Sequence, residues 1–476
     1  MRKYLKQIVS ESAIYGFAGV ITSFIGMFLM PIYTKVFEPK DYAIIALIGT
    51  TSTLISMFII FGMDNAVALW YWDKPGTSDR KKIISCWYFF MTTLSLVAGS
   101  VFIFFPGFFS RLILNSAVYT QLIILFGFNI LVASYQKIAN IWFRIRRKPV
   151  LAVSYSLFIS LITIGLNLLF ILKLKMGLEG IYYSQLIASV VGFILTTIVL
   201  YKWLSVSDFD WGLLRQMLRF SLPLIPAALV YWLMSSASTY FINLYVTDKA
   251  EIGLYQVGST IASVLGLATW AFLQAWPPFA LSIHKESNAR NVYSLVFEVY
   301  CVVGFFFAFC LGLFAGEILH VFTNKNYAGA KNVIGLLAVN SILIGLPGIL
   351  SIANNIVKKN SPYAMAVIAG SAFTVILFLL LIPVLGKEGA AIAMIIGNCV
   401  VAIFLGYKVQ KLYFIAYEFK RIFGMLLLQV IFFFLLWRFV DSLIIKMAGI
   451  IVLALMILLI YQNKFGKNIF RNVVKT

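Results

Sequence analysis

The chain has 476 residues, of which 62% are hydrophobic and 12% charged, with a mean hydropathy of +0.96. A water-soluble domain carries about twice that share of charge, so soluble enzymes and soluble binding modules are excluded. The net charge of +21 is spread over many loops and makes no continuous stripe, which excludes a track for a nucleic-acid backbone.

A bilayer core about 30 Å thick needs around 20 apolar residues per helical crossing, and the sequence supplies fourteen such runs. The first, 12–31, follows a basic start but reaches Pro31 without a small-residue cleavage site, so it is read as a helix and not as a removed signal. The next five lie near 42–62, 83–105, 118–138, 150–172 and 180–201. After a longer polar connection come 220–241, 252–279, 292–315, 333–353, 362–385 and 389–410. Two more, 421–440 and 446–462, close the chain. Pro223 and Pro226 predict a bend in the seventh helix, Pro277 and Pro278 close the eighth, and Pro347 bends the tenth. Gly312 and Gly316 form a G-x-x-x-G pair that points to close helix packing.

Charge checks this parsing independently, because cytoplasmic loops hold the excess of Lys and Arg. With both chain ends cytoplasmic, 27 of the 38 basic residues fall on the inner side. Twelve helices are the alternative count. Cys86, Cys301, Cys310 and Cys399 lie inside the apolar runs without paired spacing, so neither a disulfide framework nor a zinc site is expected. No phosphate-binding G-x-x-x-x-G-K-[ST] loop and no H-E-x-x-H occurs, and His284 and His320 fall on opposite expected sides. No cofactor, metal or catalytic residue is indicated.

Internal repetition organises the chain. Ile138-Ala139-Asn140, Pro149 and Gly177-Leu178-Glu179-Gly180 return in the same order as Ile352-Ala353-Asn354, Pro362 and Gly386-Lys387-Glu388-Gly389. Asp41 to Ile44 likewise parallels Glu251 to Leu254. The first glycine of each G-x-E-G sits in a tight external turn, where positive φ is often needed. Six helices per copy keep both copies in one orientation, so two lobes related by an axis along the membrane normal are expected. The expected fold is therefore all-α and integral to the membrane, with about fourteen transmembrane helices. The N-terminal lobe covers 1–210 and the C-terminal lobe 211–415, with a cargo site between them; 416–476 adds two helices and a short cytoplasmic tail.

Taken over its whole length, the chain resembles the polysaccharide flippases of the Wzx type in the multidrug/oligosaccharidyl-lipid/polysaccharide exporter superfamily. The resemblance rests on the 6+6+2 helix plan, on Tyr15 to Tyr33 leading through Phe37-Glu38-Pro39-Lys40-Asp41-Tyr42 into the second helix, and on the repeated G-x-E-G turns. It implies translocation of an undecaprenyl-diphosphate-linked oligosaccharide from the inner to the outer leaflet of the bacterial cytoplasmic membrane, for O-antigen or similar surface polysaccharide. Membrane lipid is an implied partner, as are a polysaccharide polymerase and chain-length machinery; nucleic acid is not. An exporter of organic cations coupled to H+ or Na+ is one alternative, and a membrane-embedded polymerase or ligase is the other. The latter would need a large external loop, and every external loop reads as short.

Physical chemistry nominates the residues. A sugar headgroup loses a few kcal/mol per unmet hydrogen bond in hydrocarbon, so helix amides such as Asn129 and Asn167, and also Gln185, Asn243, Gln274, Asn340 and Asn398, suit its hydroxyls. A diphosphate needs cations, for which the arginine fork is well shaped. The densest cluster is Lys137, Arg144, Arg146, Arg147 and Lys148, with Arg215 and Arg219 expected across the cavity. The positive-inside rule alone also accounts for these cations. Acids inside helices are scarce, which makes Glu298 and Asp64 the candidates for ion coupling.

Overall fold

A computed structural model describes residues 29–74, 76–357, 359, 361–439 and 442–468. Most of the first expected crossing, 12–31, and the tail from 469 lie outside the described residues. The described chain is helical nearly throughout and contains no strand, which leaves the backbone polar groups satisfied within each segment, as hydrocarbon demands.

In chain order, α1 (Pro39–Ile60) and α2 (Met63–Asp73) share one 35-residue span. They are followed by α3 (Thr77–Phe104), the short α4 (Pro106–Leu114), α5 (Thr120–Ile145), α6 (Pro149–Asn167) with a π-helical extension Leu168–Lys173, and α7 (Gly177–Leu200). The seventh expected crossing is built from three pieces, α8 (Trp211–Ser221), α9 (Leu224–Ser235) and α10 (Ser238–Tyr245). Then come α11 (Ala250–Ser282), α12 (Ala289–Leu313), α13 (Ala315–Phe322), α14 (Lys331–Leu343), α15 (Leu346–Leu350), α16 (Ile352–Val357), α17 (Ser361–Leu412), α18 (Phe419–Phe439) and α19 (Leu443–Asn468). Among the described residues, eleven helices are long and apolar enough to cross a membrane, or twelve when α8 and α9 are taken together. The 52 residues of α17 hold two of the expected crossings, separated at Gly386, whose φ of 57° and ψ of −132° belong to no helix.

Proline and glycine set these breaks. Pro223 is the N-cap of α9 and α8 meets it at 45°; Pro347 opens α15 after α14 has ended. Pro277 and Pro278, expected to close the eighth helix, instead lie inside α11, which runs on to Ser282. Gly177 and Gly386, the first glycines of the two G-x-E-G turns, both take positive φ.

By their own contacts the residues group into two units, one of Met1–Gln256 with Phe378–Lys387 and one of Val257–Leu377 with Glu388–Thr476. In the first, α5 packs between α3 and α7. A Cβ on Gly99 of α3 would lie 2.8 Å from the carbonyl oxygen of Gly127 on α5, and one on Gly127 would lie 3.0 Å from that of Gly99. Ser95 and Ser134 share a 2.7 Å hydrogen bond between the same two helices.

The second unit repeats this device. A Cβ on Gly312 of α12 would lie 3.0 Å from Cα of Gly335 on α14, so Gly312 serves close packing as expected, whereas Gly316 faces the Lys331 side chain. The last two helices are tied on by polar contacts. Gln429 of α18 donates to Val302 O at 2.9 Å, Ser294 donates to Ala416 O at 2.7 Å, and Lys446 of α19 pairs with Glu317 at 2.7 Å.

Candidate functional site

Two neighbouring cavities of the first unit meet at Lys137, and their position follows from a break in the chain. Phe61 and Gly62 both have positive φ, which ends α1 and restarts the helix as α2. Space is tight there as well, since a Cβ on Gly62 would lie 3.3 Å from Ser221 O and Leu224 Cβ. The break sets Asp64 and Asn65 in the first turn of α2, where backbone N–H groups are unsatisfied within the helix.

The first cavity, about 340 Å³, lies among α1, α5, α6 and α7. Isoleucines of α1 make one wall, interrupted by Ser52 and Ser56 four residues apart on one helix face. The opposite side carries Asn129, Ser134, Gln136, Lys137, Thr163, Tyr182, Gln185 and Ser189. Asn129 donates both amide hydrogens inside the protein, to Leu125 O and Tyr182 O at 3.1 Å each, which leaves its oxygen for the cavity. Gln136 is steadied by Ser189 at 3.3 Å, and the buried Tyr182 hydroxyl has no hydrogen-bond partner among the described residues.

The second cavity, about 760 Å³, is bounded by α1, the start of α2, Lys137 and one side of α9. Its wall is more apolar, with Met57, Ile60, Leu224, Ile225, Tyr231 and Trp232. The Trp232 indole is held in place by donating Nε1 to Thr53 Oγ1 at 3.0 Å. Both volumes fall within the range of about 300–1,000 Å³ usual for ligand pockets.

Lys137 lines both cavities, as does the apolar Ile60, and is the charged residue they share. Asp64 faces the second cavity with it, yet no carboxylate among the described residues approaches Lys137 within ion-pair distance. Chemically, the arrangement offers one cation at the junction, amides and hydroxyls on one side, and an indole face on the other. That combination suits a ligand with an anionic group joined to a hydroxylated ring, since carbohydrate C–H faces gain dispersion contact on an aromatic wall.

The other nominated residues fall elsewhere. Arg144 is exposed near the end of α5, and Arg215 and Arg219 are exposed on α8, whose buried side is Leu214, Met217 and Ser221. Arg146 and Arg147 stack on tryptophans, and none of these five arginines lines either cavity. Asn167 is fully buried, and among the described residues neither its side-chain oxygen nor its nitrogen has a hydrogen-bond partner. Glu298, fully buried in the second unit, has Arg421 of α18 at 3.4 Å. Asn340 and Asn398 bond each other at 2.9 Å, and Asn243 accepts from Lys249 at 2.6 Å. Gln274 is exposed and Gln185 lines the first cavity. Trp232, Tyr182, Ser52 and Ser56 were not singled out from sequence; the i, i+4 serines on an isoleucine-rich helix were the available signal.

The sequence pattern of a family described as polysaccharide biosynthesis protein matches residues 32–275, just over half of the chain, and these residues include both cavities. The chain belongs to that polysaccharide biosynthesis family. Among solved structures, this family member resembles a lipid II flippase MurJ in an inward closed conformation, at 17% identity with a TM-score of 0.76, covering 96% of this chain and 100% of that one. It also resembles an inward-facing multidrug resistance MATE family transporter, at 17% identity and a TM-score of 0.63, covering 85% of this chain and 95% of that one. A transporter of the same superfamily from Pyrococcus furiosus, described as having a binding pocket of reversed polarity, matches at 17% identity and 0.54, over 88% and 96% of the two chains. At such identity these likenesses show the fold alone, which is all-α and multi-pass. Curated protein sequences give no match.

Proposed function

We propose that this protein moves a polyprenyl-diphosphate-linked oligosaccharide from the cytoplasmic to the outer leaflet of a bacterial cytoplasmic membrane by alternating access, with both chain ends cytoplasmic. The observation that carries the reading is Lys137, a cation with no carboxylate within ion-pair distance among the described residues, at the junction of an amide-lined and an aromatic-lined cavity. In this reading the diphosphate meets Lys137, sugar hydroxyls meet Asn129, Gln136 and Gln185, and Trp232 takes a ring face, while the polyprenyl tail stays in lipid. Moving a negative charge outward down an inside-negative potential releases about 2.3 kcal/mol per 100 mV, so the cycle needs no coupled ion on energetic grounds.

The test is a strain deleted for this protein and complemented with wild type, Lys137→Arg or Lys137→Gln, in which lipid-linked oligosaccharide of the inner leaflet is measured. Wild type clears the accumulated lipid and the arginine variant clears part of it. Lys137→Gln loses a charge-assisted contact of about 1.5–3 kcal/mol, which slows clearance by about one to two orders of magnitude. Absence of accumulation in the deletion strain overturns the reading. Asp64 in the second cavity favours the competing reading, export of organic cations. That reading predicts altered drug sensitivity in the deletion strain and loss of resistance with Asp64→Asn.

A further inference from the structure

The first unit carries a second constellation, separate from both cavities, where the ends of α2 and α5 meet the segment after α7. Four aromatic rings gather there: Tyr71 lies 6.0 Å from Trp142 and 5.6 Å from Trp72, and Trp142 lies 4.9 Å from Trp203. Three guanidiniums lie over these rings. Arg146 sits over Trp142 at 5.4 Å and Trp203 at 5.1 Å, and donates to the Tyr71 hydroxyl at 3.4 Å. Arg80 and Arg147 share one indole, Trp72, at 5.7 and 5.4 Å. Arg80 is fixed further by donating Nε to Tyr71 O and Lys74 O at 3.0 and 2.9 Å, at the carbonyl end of α2.

Ordinary topology accounts for arginines at this end of the helices, but not for their arrangement. Cation–π stacking occupies the face of a guanidinium and leaves its edge N–H groups free, and no carboxylate among the described residues pairs with any of the three. Two like charges near one ring repel each other, a cost that a bound anion would offset. Arg147 adds a backbone argument: it ends α5 with φ of 52°, and the Lys148 N–H bonds Phe143 O, a turn in which glycine is the favoured residue. Holding a side chain there costs about 1 kcal/mol relative to glycine, which is consistent with a use for the Arg147 side chain beyond ending the helix. The scaffold is built to hold the rings still, because Ser85 bonds Trp203 O and Ser205 N, and Cys86 and Asp210 bond each other's polar groups.

We propose that Arg80, Arg146 and Arg147 form a site for the phosphate headgroup of a resident anionic phospholipid in the leaflet at this end of the unit. Half-exposed Trp72 marks the depth at which tryptophans sit in a bilayer interface. The two cavities leave out all three arginines, so the ligand is a bound lipid and not the cargo, and the inference stands whatever that cargo is.

The test uses the full chain purified in detergent, with native mass spectrometry to follow retention of phosphatidylglycerol against phosphatidylcholine of matched tails. Wild type retains the anionic lipid selectively. Arg146→Gln and Arg147→Gly each reduce retention about tenfold, which is ~1.4 kcal/mol, and Trp203→Leu reduces it comparably while keeping every charge. Lys285→Gln, an equal loss of charge at an exposed loop position in the second unit, leaves retention unchanged. Glycine fits the backbone at 147, so an unchanged melting temperature of Arg147→Gly establishes that the variant is folded. Equal effects of Lys285→Gln and Arg147→Gly overturn the proposal, as does equal retention of the two lipids. Displacement by inorganic pyrophosphate without any lipid preference also overturns it, assigning the site to a soluble phosphate.

Discussion

At the scale of single residues, burial and partnership decide what a charge can do. Glu298 is fully buried and Arg421 is its ion-pair partner at 3.4 Å, so Arg421→Ala leaves the carboxylate without that compensation. We expect a loss of up to about 3 kcal/mol, read as a lowered melting temperature, with stability partly restored by adding Glu298→Gln. The same distinction explains which site residues could be read from sequence. Lys137, Asn129 and Asp64 do line cavities, and they were legible because a cation, an amide or an acid within apolar sequence has few structural excuses. Arg215 and Arg219 were chosen by charge density, but topology places charge at helix ends whether or not a cavity is near, and both are exposed on α8. Trp232 and the two serines of α1 were not legible, since an indole or a hydroxyl in a membrane helix normally serves packing. Only the fold turns them toward cavities, the serines toward the first and Trp232 toward the second.

Helices show a parallel division. Most of their positions follow from hydrophobic run length alone, yet the seventh expected crossing is three helices. Pro223 and the loss of helical bonding around Ser236 and Ala237 break a run that hydropathy reads as continuous. Gly386 is a second such break, separating two expected crossings that follow each other directly within α17. Its φ of 57° and ψ of −132° are open only to glycine without strain. Gly386→Ala is therefore expected to cost about 1–3 kcal/mol in chemical or thermal unfolding, and to loosen Lys387 from Glu251, now 2.9 Å apart. The attachment of α19 has its own signature. Burial raises the Glu317 carboxyl, but the hydrogen bond from Lys446, its own backbone and the charges of Lys446 and Lys331 outweigh this and hold it below its ordinary 4.5. A carboxylate depressed in the folded state adds stability above its unfolded value, and that stability is lost as pH falls through the folded value. Melting temperature should thus fall more steeply below about pH 4.5 in wild type than in Glu317→Gln; parallel curves would remove the pair from the account of stability.

For the whole molecule, composition made the membrane class plain and the repeated G-x-E-G turns suggested two copies of one unit, whereas the grouping of α8 to α10 with the first unit depends on contacts that no local pattern records. Orientation is testable directly. The native cysteines are buried or half-buried, so new thiols can be read above them. A membrane-impermeant maleimide should label Ser116→Cys in intact cells and Thr77→Cys only after permeabilisation; the opposite pattern would invert the proposed topology. The glycine contacts carry a further consequence. Gly99 with Gly127 in the first unit, and Gly312 with Gly335 in the second, each bring two helices of one expected repeat backbone to backbone. If one ancestral segment was copied, it already held this rivet, and in each copy an added methyl group would press on the facing backbone. In a saturation mutagenesis library selected for folded protein, these four positions should therefore be among the least forgiving in the chain, while the apolar side chains around them trade places freely.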